Sequence, residues 1–244
     1  MKRHLFLLLC VALGWPAAGW AQTGNHLYRT TLMQAAPGKL LELIGAQKKL
    51  NEAYRSAEEP AAWMMRHSQG DKWDLLLLTP AGSLPEYFAA ERVAKRKAVE
   101  TGTGWAAHRS ELIAWQEDVF VLGPPPEAVG KAFAGSGYFH VEMFIALPGR
   151  HAELVKQREM ENAYLKGIDR PQNFIFVREQ GAAWDAFTIG VYRDLKHYAE
   201  SADIPDEKEE VSARAAGFAS AAEIGPYLRT LIRSHHDTLA VPVR

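Results

Sequence analysis

Leu27–Lys39 reads LYRTTLMQAAPGK, and 111 residues further on Tyr138–Arg150 reads YFHVEMFIALPGR. Each stretch is rich in β-branched and aromatic residues, as a strand requires, and each closes on a Pro-Gly turn that leads into a helix. The same shift of 111 pairs Asn51 with Asn162, Gln69-Gly70 with Gln180-Gly181, Trp73-Asp74 with Trp184-Asp185, and Tyr87 with Tyr198. An ordered set of matches spread over a whole unit is the mark of an internal duplication. Further along the shift becomes 119, where Leu112-Ile113 and Asp118 meet Leu231-Ile232 and Asp237. The second copy has therefore gained eight residues, expected as a surface insertion near Ala202–Gly217, which holds the charged run Asp203–Glu210.

Working outward from the two stretches, each copy has the same order. Leu40, Leu43, Ile44 and Leu50 lie at helical spacing in Lys39–Arg55, as do Leu154 and Val155 in Arg150–Leu165. A strand pair around a Gly turn follows: Trp63–His67 with Trp73–Leu78, and Asn173–Arg178 with Trp184–Tyr192. Then comes a helical region through Tyr87 or Tyr198, and a short apolar strand, Val119–Leu122 or Thr238–Val241. The order β-α-β-β-α-β is the ferredoxin-like split unit. The expected fold class is α+β, with two tandem ferredoxin-like units over residues 22–123 and 137–244. Gly123-Pro124-Pro125-Pro126 ends the first copy, and residues 124–136 read as a linker.

A four-stranded sheet with helices on one face shows polar residues on the other if that face meets water. These strands do not. Tyr28, Thr30 and Leu32 alternate with Arg29, Thr31 and Met33, while Phe139, Val141, Met143 and Ile145 alternate with His140, Glu142 and Phe144. A sheet apolar on both faces needs a second sheet, and the repeat supplies one. The units are expected to pack as an intrachain barrel. The first set of each strand is expected against the helices, and the second set in the shared interior.

The chain carries a formal charge of −1, with no concentrated basic face to favour nucleic acid. Lys2-Arg3-His4, the apolar run Leu5–Leu13 and the small-residue segment Ala17–Ala21 fit a secretory signal of residues 1–21, with a periplasmic or secreted mature protein. The run is shorter than the roughly 20 apolar residues of a membrane span. The single cysteine, Cys10, lies within it, and a lipobox reading would leave too short an apolar stretch before the cut. The mature chain then has no disulfide and no thiolate chemistry.

The strand, Pro-Gly-Lys/Arg turn, amphipathic helix and aromatic-rich hairpin resemble the dimeric α/β-barrel superfamily. Within it the chain looks most like NIPSNAP-type and stress-response barrel domains. The likeness runs through Tyr28-Arg29-Thr30 to Pro37-Gly38-Lys39, and again through Phe139-His140-Val141 to Pro148-Gly149-Arg150. The resemblance implies the barrel. For activity it allows cofactor-free monooxygenases, haem-using enzymes and proteins with no assigned chemistry.

The candidate site residues are Arg29, Thr31, His140 and Glu142, expected to face the interior. His140 and Glu142, two apart on a strand, share a face. They could form a general base with its neighbouring carboxylate, or a satisfied polar pair. Arg29 could hold an anion or pair with Glu142. His67 and Arg178 take matching places near the ends of their strands and could line a barrel mouth. His235-His236-Asp237 lacks the i, i+4 spacing of a helical metal site, so no metal is expected there. No cofactor is required by any motif. The superfamily permits haem, for which His197, His235 and His236 are the placed candidates, without a C-x-x-C-H. Nucleophile-elbow, zincin, P-loop and dinucleotide motifs are absent. Three readings stay open: a barrel holding a small, partly apolar ligand between its sheets, an oxygenase-like or haem enzyme, and a structural or partner-binding module.

Overall fold

The computed structural model describes residues 24–244, so the expected signal segment lies outside the described residues. The first unit runs β1 (His26–Ala35), α1 (Leu40–Ser56), β2 (Trp63–Gln69), β3 (Leu75–Gly82), α2 (Leu84–Tyr87), α3 (Ala90–Gly102), α4 (Trp105–Leu112) and β4 (Ile113–Gly123). After α5 (Pro126–Ala134) the second unit runs β5 (Tyr138–Ala146), α6 (His151–Gly167), β6 (Phe174–Gln180), β7 (Ala186–Tyr192), α7 (Leu195–Ala199), α8 (Asp206–Ala215), α9 (Ile224–Arg229) and β8 (Ile232–Pro242).

The repeated residues recur because each does the same job twice. Gly38 and Gly149 take φ of 76° and 79° in the turns that start α1 and α6, where a side chain would be strained. The Asn51 amide bridges the Ala62 backbone, accepting its N–H at 3.0 Å and donating to its carbonyl at 2.9 Å. Asn162 does the same for Asn173, at 2.7 and 2.8 Å. Asp74 accepts the Ala35 N–H, and Asp185 the Ala146 N–H.

The eight strands close into one antiparallel barrel in the order β1-β3-β2-β8-β5-β7-β6-β4. Within the units β1 lies between β3 and β4, and β5 between β7 and β8. The units join at both edges: Met65 of β2 faces Pro242 of β8, and Leu122 of β4 faces Val177 of β6. Closure leaves no free sheet edge, and helices cover the outside.

The barrel interior is a solid core. Tyr28, Leu32, Met65, Leu76, Leu78, Val119, Val121, Phe139, Val141, Phe176, Phe187 and Ile189 fill it, with Trp73 and Trp184 toward one end. Tyr28 meets Phe176 edge-on at 5.4 Å, and Phe176 stacks on Phe187 at 4.7 Å. Gly123 lies so close to Phe176 that a β-carbon there would sit 2.3 Å from its ring.

The faces are therefore the reverse of the sequence expectation. Tyr28, Leu32, Phe139, Val141 and Met143 point into the barrel, whereas Met33 packs with Leu43 and Leu50 of α1, and Phe144 with Leu154 of α6. The barrel interior is filled by the larger apolar set and has few polar groups: the Tyr28 hydroxyl donates to the Pro124 carbonyl, and Thr30 Oγ1 has no partner. The gap under the helices offers polar partners, and the ionisable set lies there.

Three further segments carry structure that the sequence reading does not assign. Residues 124–136 contain α5, whose Val129 and Phe133 are buried against one end of the barrel, Phe133 lying 4.6 Å from Phe139. The region expected as a surface insertion carries α8, which packs on α6 and buries Ser212 and Ala213. The last strand of each unit begins well before its apolar part, so His235, His236 and Asp237 belong to β8.

Candidate functional site

Arg29 and His140, expected to meet in one interior, lie apart on the outside of the barrel, each under the helices of its own unit. In the first unit the Arg29 guanidinium holds Asp118 of β4 through Nε at 3.0 Å and Nη2 at 2.7 Å, and not Glu142. Thr31 Oγ1 and Gln116 Nε2 donate to the same carboxylate, each at 2.6 Å. Arg29 Nη1 reaches the Tyr87 hydroxyl at 3.4 Å.

This cluster forms one wall of a cleft of about 70 Å3 between β1, β3 and the helices. That is room for a few waters or a small head group. The cleft carries Arg29, Arg92, Arg96 and Arg109 against Glu59 and Glu100, over an apolar floor that includes Leu50, Leu77 and Trp105. Arg92 grips the buried Glu59, with Nη2 at 2.8 Å from Oε2. That hydrogen bond, with the charges of Arg92 and Arg96, holds the Glu59 carboxyl below its ordinary range despite burial. Arg96 lies over the Tyr87 ring, 4.1 Å from its centroid, and donates to the Tyr87 carbonyl. Its Nη1 is buried without a hydrogen-bond partner, the nearest Glu59 oxygen standing 3.6 Å away. Burial drives the Tyr54 hydroxyl well above its ordinary range, reinforced by Glu100, so it stays a neutral donor.

In the second unit the equivalent place holds a different set. His140 Nε2 lies 3.0 Å from Asp237 Oδ1, and His235 Nε2 lies 3.0 Å from Asp237 Oδ2. Glu142 faces Asp237 directly across the β5–β8 ladder, and Thr188 Oγ1 donates to it at 3.3 Å. Arg158 of α6 stands 3.4 Å from Glu142 and 2.6 Å from Glu161. Burial opposes charge on His140, but the Asp237 hydrogen bond and the Glu142 and Asp237 carboxylates outweigh it and hold the imidazole above its ordinary range. Burial pushes Glu161 up. One atom each of His140, Glu142 and Asp237 lies within 4.8 Å of the others.

His67 and Arg178 do lie toward the inner side of β2 and β6, at the end away from α5. His67 packs edge-on against Trp73 at 5.9 Å, and Arg178 holds Asp185 at 2.6 Å. His67 Nε2 and Arg178 Nε are both buried without a partner.

The residues considered for haem do not fit it. His235 has both ring nitrogens engaged, by Asp237 and by Arg229 at 3.2 Å, and stacks on Phe144. His197 Nδ1 accepts the Arg193 N–H, with its other nitrogen 4.0 Å from Glu200. His236 is exposed on β8. The partnership of His140 with Asp237 depends on a strand register that sequence spacing does not reveal, although Asp118 and Asp237 do match in the repeat. Glu59, Arg92 and Arg96 carry no motif at all.

No protein-family profile matches the chain, and no curated protein sequence does. Solved structures match throughout. An anthrone oxidase-like protein superposes with a TM-score of 0.58 at 14% identity, over 90% of this chain and 92% of that one. A candidate monooxygenase from Fusobacterium nucleatum gives 0.56 at 7% identity, over 91% and 94%. A candidate chlorite dismutase gives 0.50 at 11%, over 90% and 95%. At such identities the likeness is one of fold, and that fold is the dimeric α/β barrel, here completed by a single chain.

Proposed function

We propose that the chain binds a small, partly apolar anion, such as a carboxylate or phenolate, in the cleft between sheet and helices of the first unit. The reading rests on the buried, unpartnered Nη1 of Arg96 in a cleft where guanidinium groups outnumber carboxylates. A buried donor without an acceptor is costly, and an anionic head group supplies the acceptor. The apolar floor takes the rest of the molecule. The occupied barrel centre moves the ligand from between the sheets to beneath the helices.

Calorimetric titration with benzoate and salicylate, beside neutral benzamide, tests this. The anions should bind at least about tenfold more tightly than benzamide, a difference of ~1.4 kcal/mol. Arg96→Gln should remove most of that preference. Equal binding of benzoate and benzamide, or binding of neither, refutes it.

A second reading, a cofactor-independent oxygenase acting on a phenolic or enolic substrate, draws on the descriptions of the structural neighbours. Guanidinium groups stabilise the substrate anion that reacts with dioxygen. In this reading the substrate lies under the helices of the second unit, where His140–Asp237 is the acid–base couple and Arg158 the guanidinium. Oxygen uptake in the presence of anthrone tests this reading, and uptake no faster than without protein removes it. Within the superfamily we keep the NIPSNAP-like placement, on the Pro-Gly turns of both units. We also keep export of the mature chain, read from residues 1–21.

A further inference from the structure

The two units place different charges at matched positions. Arg29, Thr31, Gln47 and Leu50 correspond, at the shift of 111, to His140, Glu142, Arg158 and Glu161. The second unit has exchanged a guanidinium for an imidazole at the first position and gained a carboxylate at the second. Arg158 and Glu161 add one guanidinium and one further carboxylate. Across these matched positions the second unit holds three carboxylates, Glu142, Glu161 and Asp237, where the first holds Asp118 alone.

The surplus is concentrated. Glu142 and Asp237 oppose each other across adjacent strands, an arrangement of like charges that destabilises a sheet. Arg158 donates through Nη1 to Glu142 at 3.4 Å and places Nη2 2.6 Å from Glu161, so one guanidinium is shared between two of the three carboxylates. A cation between Glu142 and Asp237 would do for that pair what Arg29 does for Asp118 in the first unit.

We propose that His140, Glu142 and Asp237 form a binding site for a divalent first-row transition cation. The donor set of one imidazole nitrogen and two carboxylates suits zinc, manganese or ferrous ions better than calcium or magnesium. Ligands at about 2.1 Å from a metal lie about 3.0 Å apart when adjacent in an octahedron. The His140–Asp237 separation of 3.0 Å already meets that spacing. His140 and Glu142 project from the same face of β5, and Asp237 approaches from β8, so two rigid strands carry the ligands. His235, on the second oxygen of Asp237, is a positioning residue that fixes the carboxylate.

The test uses the full mature chain freed of metal. Titration with Co2+, followed by visible absorption, should show one equivalent bound. The Glu142→Gln/Asp237→Asn double variant should bind about 100-fold more weakly or not at all. In the wild-type protein, substoichiometric Mn2+ should broaden the amide resonances of residues 140–142 and 236–238 first, an observation that needs no variant to fold. Co2+ binding unchanged in the double variant, or Mn2+ broadening centred elsewhere, overturns the proposal. A metal-bound imidazole nitrogen cannot also accept a proton, so a positive result withdraws His140 from the role of base. It leaves the anion cleft of the first unit untouched.

Discussion

The filled barrel interior can be tested by a pair of substitutions that should cancel. Phe176 is fully buried between Tyr28 and Phe187. Truncation to Ala should cost roughly 3–5 kcal/mol, the lost transfer energy plus a cavity. Gly123→Ala places a methyl 2.3 Å from the Phe176 ring and 3.3 Å from Tyr28. Overpacking of this kind should cost roughly 1–3 kcal/mol. Gly123 does not take a positive φ, so the new methyl meets no backbone strain. With both changes, the methyl enters space the ring has left, and the loss of unfolded-chain freedom adds about 0.4–1 kcal/mol of stability. The double variant should therefore be no less stable than Phe176→Ala alone, giving a coupling of about 1–3 kcal/mol in its favour. Urea unfolding of the four proteins, at matched slopes, measures it. Energies that add to within about 0.5 kcal/mol would show that the ring and the glycine do not share one packed space, and the solid-core description would fall.

Asn51→Ala and Asn162→Ala should each destabilise by roughly 1–3 kcal/mol, because each strips a buried backbone N–H and C=O of their partners. Similar losses by thermal melting are expected, and a loss at only one position contradicts the duplicated role. Glu59 is held below its ordinary value of 4.5, so its contribution is present above that pH and disappears as the pH falls through the lower folded value. Glu59→Gln should thus be the less stable protein at neutral pH, with the gap narrowing in acid. A gap that widens on acidification reverses the assignment. Recovery of the protein from a bacterial periplasm beginning at Gln22 is the outcome expected of export, and an uncut chain there contradicts the proposed cleavage.

The architecture was legible in the sequence because duplication makes a single chain its own comparison. Turn glycines, bridging asparagines and capping aspartates recur at one shift, and each is fixed by a backbone requirement that both units share. The direction of the strand faces was not legible. Thr30 and Thr31 are both buried, as are Leu32 and Met33, so alternation alone could not say which set met the helices. Alternation marks the ionisable residues as enclosed without saying which enclosed space they border. The gap under the helices is also enclosed, and it has the guanidinium and amide partners that the barrel centre lacks. The same gap explains why Arg92, Arg96 and Glu59 carried no signal: they meet only when α3 folds back over the start of β2.

The short helical connection α5 has a consequence for dilution. Barrels assembled from two separate chains come apart as protein becomes scarce, since their halves must find each other. A connection of about a dozen residues keeps the partner half at an effective concentration in the millimolar range. This barrel should hold together equally well at one molecule per compartment. Its melting temperature should not change with protein concentration.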